Sequence, residues 1–192
     1  LPLARAIRGE TLDGVEIFIR NHRIPEGRWL SVNGRPVRGE EGAPLGGVVV
    51  FHDCSDRRRE QERVRAVVES SPDGILMVNQ EGEIIMANSE AQNIFGYKRH
   101  ELVGQLIEIL VPDRFRNGHR QHRMKFMAQR HVRPIGAHHD FVGRRKDGSE
   151  FPVEVGLRPI ELQGQAFSIT TVRDATERKG IEREFRAAHE IQ

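Results

Sequence analysis

The sequence is poor in cysteine and in aromatic residues, and it contains no long hydrophobic run. Its single cysteine, Cys54, excludes an internal disulfide framework and a zinc site built from several cysteines. No segment approaches the ~20 consecutive apolar residues that a membrane-spanning helix requires, and no secretory signal opens the chain. A lone cysteine fits a reducing compartment, so we expect a cytoplasmic location and no membrane segment.

The charged residues nearly balance, because 30 Lys and Arg residues face 28 Asp and Glu residues. A local excess of positive charge lies between Arg114 and Arg133, where seven Lys or Arg residues occur without an acidic one. A basic helix face can bind phosphate or nucleic acid, but it is also typical of a solvated surface. We favour the second interpretation and expect no nucleic-acid partner.

One stretch occurs twice, about 121 positions apart. The segments 47–57 and 167–178 are each a β-branched apolar run that ends on an aspartate, Asp53 or Asp174, and continues into a charged segment. A repeat at a fixed offset predicts two copies of one structural unit in series. In each copy the last strand leads into a helix, which Ser55 or Thr176 is placed to cap.

The order of elements predicts an α+β fold. Residues 1–54 indicate one helix and three strands, and residues 55–70 a connector helix. Residues 71–175 indicate two strands, several short helices, a longer helix over 117–130 capped by Asn117, and three more strands. We therefore expect a five-stranded antiparallel sheet with helices on one face, a partial copy of it before, and an exit helix at 176–192.

Several short motifs in the second copy share their order and spacing with one sensory family. They are Ser71-Pro72-Asp73-Gly74-Ile75, Ala87-Asn88-Ser89-Glu90-Ala91, Phe95-Gly96-Tyr97, Glu101-Leu102-Val103-Gly104, Lys146-Asp147-Gly148-Ser149, Phe151-Pro152-Val153-Glu154 and the run from Arg173 to Lys179. With these motifs the chain resembles the PAS domain family over residues 71–179. The first copy resembles the C-terminal half of another PAS domain, which implies a tandem PAS region.

The resemblance implies a sensory module. PAS domains bind a small ligand, or dimerise, and pass the change to an effector domain. At the end of the last strand, the resemblance gives Asp53, Asp174 and Thr176 a role in transferring the signal to the helix that follows.

The second domain is similar to the oxygen-sensing FixL proteins in the run from Val111 to His119 and at Phe151-Pro152. That similarity implies haem, with His119 as the iron ligand. The pocket residues that it implies are His122, His139, Ile135, Val153, Val155 and Leu157. Two positions depart from the family, since its distal arginine falls on His139 and its tyrosine on His122.

The identity of the ligand stays open at this point. His119 is either a haem ligand or an ordinary partly buried histidine, and a PAS domain with a filled core and no ligand is a third interpretation. A flavin photoreceptor would need a reactive cysteine in the segment 104–112, which contains none, so we expect no flavin.

The chain carries no motif of an enzyme active site, neither a phosphate-binding glycine loop nor a nucleophile elbow, so we expect the chain itself to lack catalytic activity. We expect an effector domain in the same polypeptide. His189-Glu190-Ile191 is similar to the start of a histidine-kinase phosphoacceptor box, and the segment 188–192 is equally similar to a helix that leads into PP2C-like phosphatases. We favour a sensor histidine kinase, with a phosphatase or a diguanylate cyclase as alternatives.

Both predicted linker helices have a narrow apolar edge on an otherwise charged surface. The edge residues are Val64, Val67 and Val68 in the first helix and Ile181, Phe185 and Ala188 in the second. Such a pattern is typical of a two-stranded coiled coil, so we expect a parallel homodimer.

Overall fold

The computed structural model describes residues 1–39, 42, 44–129, 132, 134–135 and 141–189. The chain forms two compact units, Leu1–Ala66 and Val67–Gln192, and the division falls within the helix Ser55–Glu69. Among the described helices, none is both long and apolar enough to cross a membrane.

The first unit is a three-stranded antiparallel sheet with one short helix. Its elements are α1 (Pro2–Ile7), β1 (Leu12–Asn21), β2 (Ile24–Arg38) and β3 (Pro44–Asp53), and α2 (Ser55–Glu69) follows. The strand order is β1-β2-β3. This sheet confirms the predicted partial unit.

The core of the first unit is small. Ala6, Leu12 and Val32 are its fully buried members. Helix α1 approaches β3 at Gly47, where an added Cβ atom would lie 2.9 Å from the Cβ of Ala6, so a larger residue would push the helix away. Along the outer edge, β3 keeps apolar side chains exposed, among them Val50 at 59%.

The second unit is a five-stranded antiparallel sheet with helices over one face, which confirms the predicted fold class. Its elements are β4 (Gly74–Asn79), β5 (Ile84–Ala87), α3 (Ser89–Phe95), α4 (Arg99–Leu102), α5 (Arg116–Gln129), β6 (Phe141–Arg144), β7 (Glu150–Leu162), β8 (Gln165–Asp174) and α6 (Thr176–His189). Two 3₁₀ turns, Ile107–Leu110 and Asp113–Phe115, lie between α4 and α5. The strand order is β5-β4-β8-β7-β6.

The core of the second unit lies between the inner face of the sheet and the short helices. Leu76, Ile84 and Leu102 are fully buried there. Phe95 of α3 meets Phe151 of β7 edge-on, with ring centroids 5.7 Å apart. Because β4 and β8 alternate buried and less buried residues, one side of each strand faces this core.

The predicted helix caps need correction. Asn117 is not a helix cap, because the 3₁₀ turn Asp113–Phe115 runs directly into α5 and places Asn117 in the first helical turn. Ser55 and Thr176 are the first residues of their helices, and the capping acceptors are the aspartates two positions earlier. The first of the three strands predicted after the longer helix is described as β6 from Phe141, and residues 136–140 lie outside the described residues.

Candidate functional site

A cavity of about 450 Å³ lies inside the second unit, between the inner face of its sheet and α5. The sheet lines it mainly with apolar side chains, namely Leu76, Val78, Phe141, Val153, Val155, Leu157, Ser168, Thr170 and Val172. The helical side contributes Ile107, Leu110, Phe115, His119, His122, Arg123, Phe126 and Met127. The volume falls in the range of ~300–1,000 Å³ that is usual for small-molecule sites.

The floor of the cavity follows from strand alternation and register. Thr170 of β8 is paired with Leu76 of β4 on one side and with Leu157 of β7 on the other. Residues directly opposite in antiparallel strands point to the same face. Ser168 and Val172, two positions either way along β8, therefore share that face, and both line the cavity.

Helix α5 forms the opposite wall. His119, His122 and Phe126 follow one another at helical spacings of three and four, which places them on one face, and all three line the cavity. Two arginines of the basic segment pair within the domain, Arg114 with Glu150 and Arg116 with Asp113. This part of the basic segment is thus ion-paired within the domain, and Arg114 also lines the cavity.

A buried carboxylate holds the histidine wall in place. Glu108 lies in the first 3₁₀ turn with a side chain only 10% exposed, and its Oε1 lies 3.1 Å from both Nδ1 of His119 and Nε of Arg123. Because an ionised carboxylate only accepts hydrogen bonds, Nδ1 of His119 donates. Arg123 donates a second bond to the carbonyl of Gln80 at 2.8 Å, which ties α5 to the turn after β4.

Glu108 stays ionised in this setting. Burial opposes ionisation, but the hydrogen bonds from His119 and Arg123 and the charge of Arg123 outweigh it, so the pKa of Glu108 lies below its usual value. Its second oxygen, Oε2, is buried and has no hydrogen-bond partner among the described residues.

The structure brings most of the predicted site residues together. His119, His122, Val153, Val155 and Leu157 all line the cavity.

Two predicted residues do not join them. Ile135 lies beside Gly156, which alternates with the cavity-lining Val155 and Leu157 and so belongs to the other face of β7. His139 lies outside the described residues.

Four functional residues escaped the sequence prediction, namely Glu108, Arg123, Ser168 and Thr170. A period-two reading of β8 would have found the two hydroxyl residues, since they alternate with the outward-facing Ile169. No sequence signal joins Glu108 to Arg123, because their meeting depends on how α5 packs over the preceding turn.

The end of β8 is tied to the start of α6 by Asp174. Its Oδ1 accepts hydrogen bonds from the backbone N of Thr176 at 2.8 Å and from its Oγ1 at 2.5 Å. Its Oδ2 accepts one from Arg145 at 2.6 Å, and Arg145 also stacks on the ring of Phe151. Burial opposes ionisation of Asp174, but these hydrogen bonds prevail and hold its pKa below the usual range.

The first unit repeats this junction. Oδ1 of Asp53 accepts a hydrogen bond from the backbone N of Ser55 at 3.0 Å, and its Oδ2 pairs with Arg28 at 3.0 Å. The sequence repeat thus corresponds to a repeated three-dimensional device, in which an aspartate and an arginine from a neighbouring segment anchor the first turn of a helix.

An antiparallel sheet that encloses a ligand-sized cavity, and whose central strand continues into an outgoing helix, defines a sensory type of domain. The family model described as "PAS domain" matches residues 72–177. The chain belongs to the PAS domain family.

Among curated relatives, sensor protein FixL of Bradyrhizobium diazoefficiens is 24% identical over 158 residues, which cover 79% of this chain and 31% of that protein. Oxygen sensor protein DosP of Escherichia coli is 27% identical over 103 residues, which cover 54% of this chain and 13% of DosP. The signal transduction histidine-protein kinase AtoS of E. coli is 39% identical over 44 residues, covering 23% of this chain and 7% of AtoS. The chain therefore spans less than a third of the length of each of these relatives.

Among solved structures, the PAS domain of an HTR-like protein from Haloarcula marismortui matches with a TM-score of 0.50 and 26% identity. The match covers 61% of this chain and 98% of that domain. The chain is thus a PAS sensor domain related to FixL, DosP and a histidine kinase, preceded by a partial PAS-like sheet.

Proposed function

We propose that this chain is the ligand-binding sensory region of a multidomain signalling protein, with a small molecule bound in the cavity of the second unit. The observation that carries the proposal is the position of β8, which forms the centre of the cavity floor and ends at Asp174, the residue that anchors α6. A ligand that shifts β8 by a few tenths of an ångström changes the geometry of the helix start, because packed elements move together.

The host protein that we favour is a sensor histidine kinase, supported by the similarity to the histidine-protein kinase AtoS. In this proposal the chain itself has no catalytic activity, and an effector domain in the same polypeptide responds to α6. A PP2C-like phosphatase or a diguanylate cyclase as effector is the alternative. We place the protein in the cytoplasm, in keeping with its one unpaired cysteine, Cys54.

Hydrogen exchange tests the path from cavity to helix. We use 1-naphthol as a probe ligand and expect it, at a hundred times its Kd, to slow amide exchange in β8 and in the first turn of α6 by at least about tenfold, since binding stabilises the native state by up to about 2.7 kcal/mol. In Asp174→Ala the slowing persists in β8 and disappears from α6.

The matched control is Asp147→Ala. Asp147 accepts the same pair of hydrogen bonds, from the N and Oγ of Ser149, but in the exposed turn between β6 and β7. An α6 response that survives in Asp174→Ala as fully as in Asp147→Ala would contradict the proposed path.

Haem is the second candidate ligand, favoured by the Glu108–His119 hydrogen bond and by the similarity to the oxygen sensor DosP. The residues present fit the group: His119 lines an apolar cavity, and a carboxylate that accepts from Nδ1 orients a histidine for metal binding through Nε2. Haem in this place would supply an iron centre able to bind a diatomic gas. Within the described part of the chain, no group of three His, Cys, Asp or Glu side chains is placed to hold a metal ion, so iron would be held here by the porphyrin and His119.

Titration with haem decides this candidate. We expect a Soret band with one haem per chain, and its loss or a large drop in affinity in His119→Ala, because the axial ligand is removed. His122→Ala is the control, since His122 lines the same cavity one turn further along α5 and should leave the band in place. Equal spectra for the two variants, or no band with the unmodified chain, would rule out His119 as an iron ligand.

We also propose a parallel homodimer through the linker helices. Val64 and Val67 on α2 and Ile181 on α6 are exposed by 50–67% on helices that are otherwise strongly charged. Sedimentation velocity at tens of micromolar should give a dimer, and Val67→Glu should shift it toward monomer, whereas Glu62→Ala on the same helix should not. A monomer at all concentrations would refute the dimer.

A further inference from the structure

Ser168, a residue of the cavity floor, carries a buried hydroxyl without a described hydrogen-bond partner. The Oγ of Ser168 is buried, in a residue only 6% exposed, and it has no hydrogen-bond partner among the residues that the structure describes. Native proteins satisfy nearly all buried polar groups, so a buried hydroxyl without a described partner, in a residue that lines a cavity, indicates a partner that binds there.

The surroundings of Ser168 are otherwise apolar. Its neighbours across the sheet are Val78 on β4 and Pro159 on β7. Two residues along β8, Thr170 adds a second hydroxyl to the same face and is 8% exposed. Asn79, the other polar residue that the sheet contributes to the lining, already uses its side chain in two hydrogen bonds with Glu83.

Resting on the proposed function, we infer that Ser168 and Thr170 form a polar subsite, which binds the hydroxyl, carbonyl or amide group of a neutral and otherwise apolar small ligand. The ligand is neutral at this end because the part of the floor that the structure describes offers no charged side chain, and a buried charge without a partner is strongly disfavoured. The apolar body of the ligand lies along Leu76, Val155 and Leu157, toward the histidine wall of α5.

The subsite explains why β8 carries hydroxyl residues here at all. A position between a valine and a proline in a sheet interior suits a β-branched apolar side chain. A hydroxyl at this position destabilises the ligand-free domain, since it is desolvated without a hydrogen bond. Binding removes that penalty, so the two residues select for ligands that carry a hydrogen-bonding group.

The test compares two probes of nearly equal shape, 1-naphthol and 1-methylnaphthalene, in binding titrations with the whole chain. We expect 1-naphthol to bind about 2- to 10-fold more tightly, as one neutral hydrogen bond allows. Ser168→Ala should bring the ratio of the two affinities close to one, by weakening the binding of 1-naphthol alone. Thr170→Val should lower this ratio in part. Thr171→Val, which removes a hydroxyl from the other face of the same strand, should keep it.

A second measurement covers the ligand-free state. Ser168→Ala should raise the Tm of the ligand-free chain by about 2–4 °C, because it deletes an unpaired buried hydroxyl without creating a large void. A fall in Tm would mean that Ser168 already has a structural partner, and the inference would be wrong.

The outcomes separate this inference from the proposed function. If both probes bind and the cavity-filling Val155→Trp abolishes both, but Ser168→Ala keeps the full preference, the cavity is a ligand site and the subsite is refuted. A water molecule held permanently by Ser168 would give that same result. If neither probe binds, or Val155→Trp leaves binding unchanged, the proposed ligand site fails and the subsite fails with it.

Discussion

Replacing Asn88 by alanine should lower the free energy of unfolding of the second unit by about 3 kcal/mol. Asn88 is fully buried between β5 and α3. Its Oδ1 accepts from the backbone N of Ile75 at 2.8 Å and of Ala91 at 2.9 Å, and its Nδ2 donates to the carbonyls of Val68 and Asp73 at 3.0 Å. Alanine takes one hydrogen-bond partner from four backbone groups, which are buried or partly buried, and leaves α3 without its cap.

Urea denaturation followed by circular dichroism measures the decrease in the free energy of unfolding that Asn88→Ala causes. Asn93→Ala is the matched control, since Asn93 is an exposed asparagine in the same helix with a bond to Glu90, and it should cost less than about 0.5 kcal/mol. Asn88→Asp keeps the two acceptor bonds, loses the two donor bonds, and should also be markedly destabilised by its buried charge. A loss below 1 kcal/mol in Asn88→Ala would show that water replaces the side chain, against this explanation.

Replacing Arg123 by methionine should cost a similar amount, about 3 kcal/mol, because it leaves the carboxylate of Glu108 buried with only His119 as a partner. Both side chains are only 10% exposed, so solvent replaces little of the lost interaction. The double variant Arg123→Met, Glu108→Leu should recover most of the stability, since it removes both members of the pair. Equal stabilities of the single and double variants would contradict a coupled pair.

The stability of the unmodified chain and that of Arg123→Met should change with pH in opposite directions. In the unmodified chain the pKa of Glu108 is lowered on folding, so its stabilising contribution is present above the ordinary glutamate pKa of about 4.3 and is lost as the pH falls through the lower folded value. In Arg123→Met burial should dominate and raise the folded pKa, and stability should then decrease as the pH rises above about 4.3. Urea titrations between pH 3 and 7 give the free energy of unfolding of both proteins as a function of pH. If the two pH dependences are parallel, Arg123 is not the residue that lowers the pKa of Glu108.

The linear patterns of the chain predicted its elements well. The repeat around Asp53 and Asp174 indicated two related units, and in both the aspartate indeed anchors a helix start. Such features depend on the local periods of strand and helix, which are the same in every fold.

Two local errors have a similar origin. The cap assigned to Asn117 was wrong because a 3₁₀ turn and an α-helix join there without a break. A capping rule based on residue type cannot detect such a junction. The capping role given to Ser55 and Thr176 belongs to the aspartates before them, since both kinds of side chain suit a cap and only the backbone path decides between them.

By itself, the sequence determined the class of fold, the two-unit organisation and the strand that leads into each linker helix, and its resemblance to a known family named five of the residues that line the cavity. Only the tertiary structure decided which polar groups meet: Glu108 with His119 and Arg123, Asn88 with four backbone groups, and Ser168 with none that is described. The physical reason is the distance along the chain over which each kind of interaction acts. Period and capping act over a few neighbouring residues, whereas a buried hydrogen bond depends on where separate segments come to rest in three dimensions.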